Sequence, residues 1–143
     1  QWSSSAASDV YKRQGLYDVQ KEGNLVDLRG TFMSQHDGSY MFRTVKPQYY
    51  PIPVDGPVGD LLNSLDRHPF RPAHVHFMVK ANGYKDLVTH AFIDGDKYLE
   101  SDTVFAVKKS LIRKLEEGFD EENNSKCFFL NFDIVMESIK KGA

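Results

Sequence analysis

The chain has 143 residues, 41% hydrophobic and 27% charged, with a formal net charge of −2. That length suits one domain around a single core, and the charge argues against a nucleic-acid partner, which needs a basic face. No apolar run approaches the ~20 residues that cross a bilayer, so no membrane span is expected; a single cysteine, Cys127, excludes an internal disulfide framework and suits a reducing, cytoplasmic setting.

Residues 1–14 (QWSSSAASDVYKRQ) show no clear apolar period, are rich in serine and alanine and end in a basic cluster. The string SDVYKRQ resembles a translated sequencing adapter, so the segment is set aside as a non-native or disordered tail, leaving 15–143 as the domain. Residues 25–32 (LVDLRGTF) predict a strand, followed by a turn at His36-Asp37-Gly38 and a second strand over 40–45; an Asp-Gly turn between two such runs signals a hairpin. Residues 47–57 hold four of the six prolines and form an ordered loop. Residues 59–65 predict a short helix with Leu61, Leu62 and Leu65 on one face. Residues 73–80 (AHVHFMVK) are the clearest strand, and 87–93 pair with it across an Asn82-Gly83 turn. Residues 105–115 fit helix and strand equally, 116–126 read as an exposed charged loop, and 128–136 as an apolar closing strand. An aromatic content of 13% and the succession of strands point to a mainly β fold, an antiparallel sandwich.

His74-Val75-His76 carries the chemistry. Residues two apart on a strand share a face, so both imidazoles enter one space and offer a metal two nitrogen donors. Alone the pattern is weak, because two histidines on a polar strand face read the same way.

The surrounding residues extend it. RHPFRPAHVHF (67–77), KPQYYPIPVDGP (46–57), ANGYKDLVTHAFIDGDKYLESDTVFAVKKSL (81–111) and FFLNFDIV (128–135) together resemble the intradiol ring-cleavage dioxygenases, over nearly everything from Gly15 to about Met136. The resemblance implies the family's antiparallel β-sandwich, N-terminally truncated here, and a ferric ion, Fe(3+), held by Tyr17, Tyr50, His74 and His76. Tyr50 stands 24 positions before His74, as the family's loop tyrosinate does, and Gly15-Leu16-Tyr17 matches its other tyrosinate element. It further implies that an aromatic diol and O2 are the substrates and that the ring opens between the two hydroxyls. Tyr50 would leave the iron and accept a proton, and Arg71 would stabilise the negative charge that develops. His90 would contact the substrate, and the complete protein would be a homodimer.

LVTHAF with GDKYLESD looks most like hydroxyquinol dioxygenases, which form 3-hydroxy-cis,cis-muconate or maleylacetate; catechol-type relatives usually carry Gln at the His90 position. Catechol or chlorocatechol 1,2-dioxygenase, a non-catalytic β-sandwich binding fragment, and a zinc hydrolase built on His74 and His76 are the alternatives. The donor set is chemically consistent with ferric iron, a hard cation that favours anionic oxygen. Two tyrosinates, two neutral imidazoles and one hydroxide balance its charge, so the site can sit in a low-dielectric pocket.

The remaining candidates have plainer readings. Tyr49, Tyr40 and Tyr98 read as packing aromatics, His36 as a solvated turn residue and His68 as shaping the loop before the strand. Asp66 stands where relatives usually carry glycine, a strained position if φ is positive there.

Overall fold

The computed structural model of the chain describes residues 3–7, as backbone, and residues 29–139. Its strands are β1 (Ser3–Ala7), β2 (Arg29–Met33), β3 (Tyr50–Pro51), β4 (Phe70–Arg71), β5 (His74–Lys80), β6 (Leu87–Ile93), β7 (Ile112–Arg113), β8 (Leu115–Asp120) and β9 (Ser125–Leu130), with one α-helix, α1 (Pro57–Ser64), between β3 and β4. Five strands form a sheet in the order β2-β1-β5-β6-β7, and the pairs β3-β4 and β8-β9 stand apart from it. Every pair is antiparallel except β6-β7. The mainly β class expected from the sequence is observed. Among the described residues no helix is long and apolar enough to cross a membrane.

The β5–β6 hairpin organises the molecule. Its turn passes through Gly83 at φ +83°, a left-handed conformation that glycine adopts without steric cost. Alternation along β5 sends Val75, Phe77 and Val79 to one face, all buried, and His74, His76 and Met78 to the other. On β6, Ala91 lies opposite Val75 and joins the same apolar face, where Phe132 and Met136 complete the core. Phe32, Tyr40 and Phe42 pack over it, Phe42 stacking on Phe32 with ring centroids 5.1 Å apart.

Several expectations change. Residues 40–45 form no strand; Tyr40 and Phe42 pack against the core, and Tyr40 donates its hydroxyl to the Phe132 carbonyl instead of entering a ladder. Residues 116–126 are not a loop but most of the β8–β9 hairpin, whose tip turns at Asn124, φ +48°, with Asp120 accepting from the Glu122 and Asn123 amides. The closing strand ends at Leu130, while Phe132 and Met136 reach the core from irregular backbone. Residues 105–115 resolve into a short 3-10 turn at Lys109–Leu111 and β7.

Within the segment set aside as a tail, Ser3–Ala7 pairs with both β2 and β5, Ser3 facing Met33 on one side and Lys80 on the other. Main-chain groups make that pairing, so it needs no apolar period in the side chains. Of the predicted strand at 25–32, residues 29–32 belong to β2 and 25–28 lie outside the described residues.

Helix α1 starts with Pro57 in its first turn, which its fixed φ favours. Only Leu62 of the three leucines is buried; Leu61 and Leu65 face outward. Gly59 is required here, since a Cβ would lie 2.0 Å from the Val54 carbonyl oxygen. Just past the helix, Asp66 adopts φ +50°, and aspartate tolerates this conformation less well than glycine. Replacing it with glycine removes that strain at some cost in unfolded-chain entropy. Asp66→Gly is expected to raise unfolding free energy by about 0.5–1 kcal/mol, measured by urea denaturation; a loss of stability would show that the Asp66 side chain offsets its own strain.

Candidate metal centre

Three short elements bring the site together. Tyr50 on β3 pairs directly with Arg71 on β4, and both side chains are buried. Pro72 and Ala73 then carry the chain into β5, where His74 is 1% exposed. On β6, His90 lies opposite His76 and the fully buried Phe92 lies opposite His74. The face of the hairpin away from the core thus presents three imidazoles backed by a phenyl ring, with His76 and His90 centroids 4.2 Å apart.

The polar atoms converge on one point. His74 Nε2 lies 2.9 Å from His76 Nε2, 3.2 Å from the Tyr50 hydroxyl and 3.2 Å from Arg71 Nη1. Arg71 Nη1 is also 3.4 Å from the Tyr50 oxygen. His74 Nδ1 lies 2.6 Å from the Pro72 carbonyl. A carbonyl only accepts, so Nδ1 carries the proton and Nε2 turns its lone pair toward the cluster. One lone pair serves one strong hydrogen bond, yet three potential donors crowd it. A cation among these atoms resolves the crowding, and fixing the tautomer through the far ring nitrogen is how metal-binding histidines are oriented.

Burial pushes the His74 pKa down to about 2, and the Arg71 cation adds to this against the opposing effect of the hydrogen bond to the Pro72 carbonyl. The ring is therefore neutral, the form that binds metals. His90 is shifted down as well, by burial and then by Arg71. Donor atoms of His74, His76 and His90 lie within 4.8 Å of one another. Tyr50 adds a phenol oxygen, so the donors fit a ferric ion through nitrogen and ionisable oxygen.

A dioxygenase family model matches residues 5–138. The chain belongs to the intradiol dioxygenase family. It is 47% identical over 132 residues to hydroxyquinol 1,2-dioxygenase of Rhizobium sp., covering 90% of this chain and 45% of that protein. It is 52% identical over 123 residues to 6-chlorohydroxyquinol 1,2-dioxygenase of Cupriavidus pinatubonensis, covering 85% and 43%. The crystal structure of hydroxyquinol 1,2-dioxygenase from Pseudomonas putida DLL-E4 superposes with a TM-score of 0.85 at 38% identity, over 96% of this chain and 50% of that one. Wild-type catechol 1,2-dioxygenase from Acinetobacter radioresistens gives 0.84 at 28%, over 98% and 47%. The chain thus spans about half the length of these relatives.

Of the residues singled out in this intradiol chain, Tyr50, Arg71, His74, His76 and His90 meet at one place, and Tyr17 lies outside the described residues. Tyr49 packs edge-on against Phe70 and Tyr98, and His68 takes the Phe70 amide on Nδ1 with Ser101 Oγ 2.9 Å from Nε2, so both have the packing and loop roles expected of them. His36 is exposed in its turn.

One residue escaped the sequence reading. Asp102 is buried and accepts from Arg71 Nε at 3.3 Å. The signal available for it was charge balance, since an arginine drawn into a pocket requires a carboxylate, and DTVFA sets an aspartate before an apolar run, as an N-cap does.

The tautomer is testable without metal. In nitrogen-15 NMR of the metal-free chain, His74 is expected to carry its proton on Nδ1 and show an unprotonated Nε2. The opposite tautomer would remove the donor geometry assigned to this ring.

Proposed function

We propose that the chain is the metal-holding part of an iron(III) intradiol dioxygenase that opens hydroxyquinol between adjacent hydroxyls. Both atoms of O2 enter the product, 3-hydroxy-cis,cis-muconate or its tautomer maleylacetate. The observation that carries this reading is the convergence of Tyr50, His76 and Arg71 on the outward lone pair of His74. The choice of diol rests on the similarity to the two hydroxyquinol-type relatives and on His90. Tyr17 completes the proposed ligand set.

A ferric ion held there by Tyr17, Tyr50, His74 and His76 would supply a Lewis acid that makes a diol ring reactive toward O2. The chain's own residues do the rest. His74 and His76 are nitrogen donors set side by side on one face of β5, and the Pro72 carbonyl locks the first of them. Tyr50 takes a phenolic proton when the diol arrives, a role open to a group that is a ligand in one state and a free phenol in the other. Arg71 lies 3.4 Å from that oxygen and offers its positive charge where negative charge grows on the bound diol. His90, across the hairpin from His76, reaches toward the ring substituents, and Phe92 excludes water behind the imidazoles. A homodimer of the complete protein and a cytoplasmic location belong to the same reading, the second supported by the single cysteine.

The test is to load the protein with ferrous iron in air, then record the visible spectrum and oxygen uptake with hydroxyquinol and catechol. A tyrosinate-to-iron band, one O2 consumed per hydroxyquinol and formation of maleylacetate are expected. Colourless protein without ring cleavage would overturn the reading, and catechol preferred over hydroxyquinol would overturn the choice of diol.

Substitutions separate the roles. His74→Ala and His76→Ala are each expected to lose bound iron by metal analysis, whereas Tyr50→Phe keeps part of the iron with a shifted band and impaired turnover. Full iron in both histidine variants would contradict the ligand assignment. Arg71→Ala is expected to lower kcat by about 100-fold, as loss of one preorganised charge-stabilising donor does, with a smaller change in KM. Arg71→Lys should restore it only in part, because the planar fork is lost. Unchanged turnover in Arg71→Ala would make Arg71 a structural cation.

A further inference from the structure

We propose that Asp102 is the positioning residue that aims Arg71 at the site, an inference that rests on the function proposed above. β4 is only two residues long, so the sheet alone does not hold the Arg71 side chain in one orientation. Asp102 does. Its Oδ1 lies 3.3 Å from Arg71 Nε, and the side chains are 2% and 9% exposed respectively. The guanidinium is a rigid plane, so fixing Nε on a carboxylate also fixes where the η nitrogens point. Nη1 is left facing the Tyr50 oxygen at 3.4 Å and His74 Nε2 at 3.2 Å.

Asp102 is itself held. Its Oδ1 accepts the Val104 amide at 3.3 Å and its Oδ2 the Ala106 amide at 2.9 Å. The Thr103 amide donates to the Phe70 carbonyl at 3.2 Å, tying this loop to the strand that carries Arg71. A chain of fixed contacts therefore runs from the loop at 102–106 through Asp102 to Arg71 and on to Tyr50 and His74. Without the carboxylate, nothing fixes the plane of the buried guanidinium, and Nη1 loses its set position against the Tyr50 oxygen and the His74 lone pair. Those are the atoms the metal site needs.

The experiment has two arms. In the iron-loaded protein, Asp102→Asn is expected to lower kcat by about 10–100-fold, the scale of an angstrom-sized misplacement, with KM changed much less. In an Arg71→Ala background the same substitution should cost less than about twofold, because residues acting through one another are not additive. An undiminished cost in that background would overturn the proposal, since a loop-stabilising role persists without Arg71. Asp102→Ser keeps an acceptor for the loop amides and replaces the asparagine variant if that one does not fold.

The second arm needs neither iron nor turnover. In nitrogen-15 NMR of the unmodified chain, Arg71 is expected to give a resolved, slowly exchanging Nε–H signal, identified by its loss in Arg71→Lys and released to fast exchange in Asp102→Asn. If no diol is cleaved while this signal is present, the proposed function falls and the positioning of Arg71 stands. An Arg71 Nε–H exchanging as fast as those of surface arginines overturns the positioning, whatever the turnover.

Discussion

Strand β5 has to satisfy two opposite demands, and the two-residue period of an extended chain is what allows it. Val75, Phe77 and Val79 must leave water to make a core, and each such side chain contributes roughly 1.5–3 kcal/mol when fully buried. His74 and His76 must point the other way, into a space where their lone pairs can meet a cation. Because the core on one face fixes the register, the imidazoles on the other inherit it. The proposed metal centre is rigid for the same reason that the core is packed. A donor on a loop would pay an ordering cost that β5 has already met through its apolar face.

Burial of the polar cluster imposes the next constraint. Tyr50, Arg71, His74 and Asp102 are all nearly inaccessible, and a buried charge left without a partner costs several kcal/mol. The network answers this with a cation–carboxylate pair, backbone amides on the carboxylate and a carbonyl on the imidazole. At the centre, by contrast, several donors compete for His74 Nε2. Competition of that kind is expected of a site whose last participant is an ion and not another side chain.

The site was more legible than the fold, and the difference is physical. His74, His76 and Tyr50 announced themselves because their side chains are the chemistry, and the strand period and loop spacing place them. Asp102 stayed hidden because its role exists only in relation to Arg71, thirty-one positions away in sequence, and an aspartate among exposed loop residues looks like any other. The strand at Ser3–Ala7 could not be read from serines and alanines, since main-chain groups make its ladder. The β8–β9 hairpin was mistaken for a loop because exposure on both faces erases the apolar alternation that marks a strand: Phe119, Phe128 and Phe129 all remain largely exposed. Residues 40–45 erred the other way. Their alternation is real and serves packing, with Tyr40 and Phe42 against Phe77, but no ladder forms.

The choice of diol proposed above would rest on one cross-strand pair. His90 faces His76 because the β5–β6 turn sets that register through Gly83 at positive φ. A shift of one residue would bring Thr89 or Ala91 to the site face and send His90 into the apolar core. The cost of burying an imidazole among Val75, Phe77 and Phe132 opposes that shift as strongly as the loss of the core contacts does. His90 therefore does not need contacts of its own to hold its place. Its position is enforced from the far side of the sheet, where the apolar core fixes the register. Under the proposed function, a side chain held this way is suited to telling one ring substituent from another, and hydroxyquinol would offer it one more hydroxyl than catechol does.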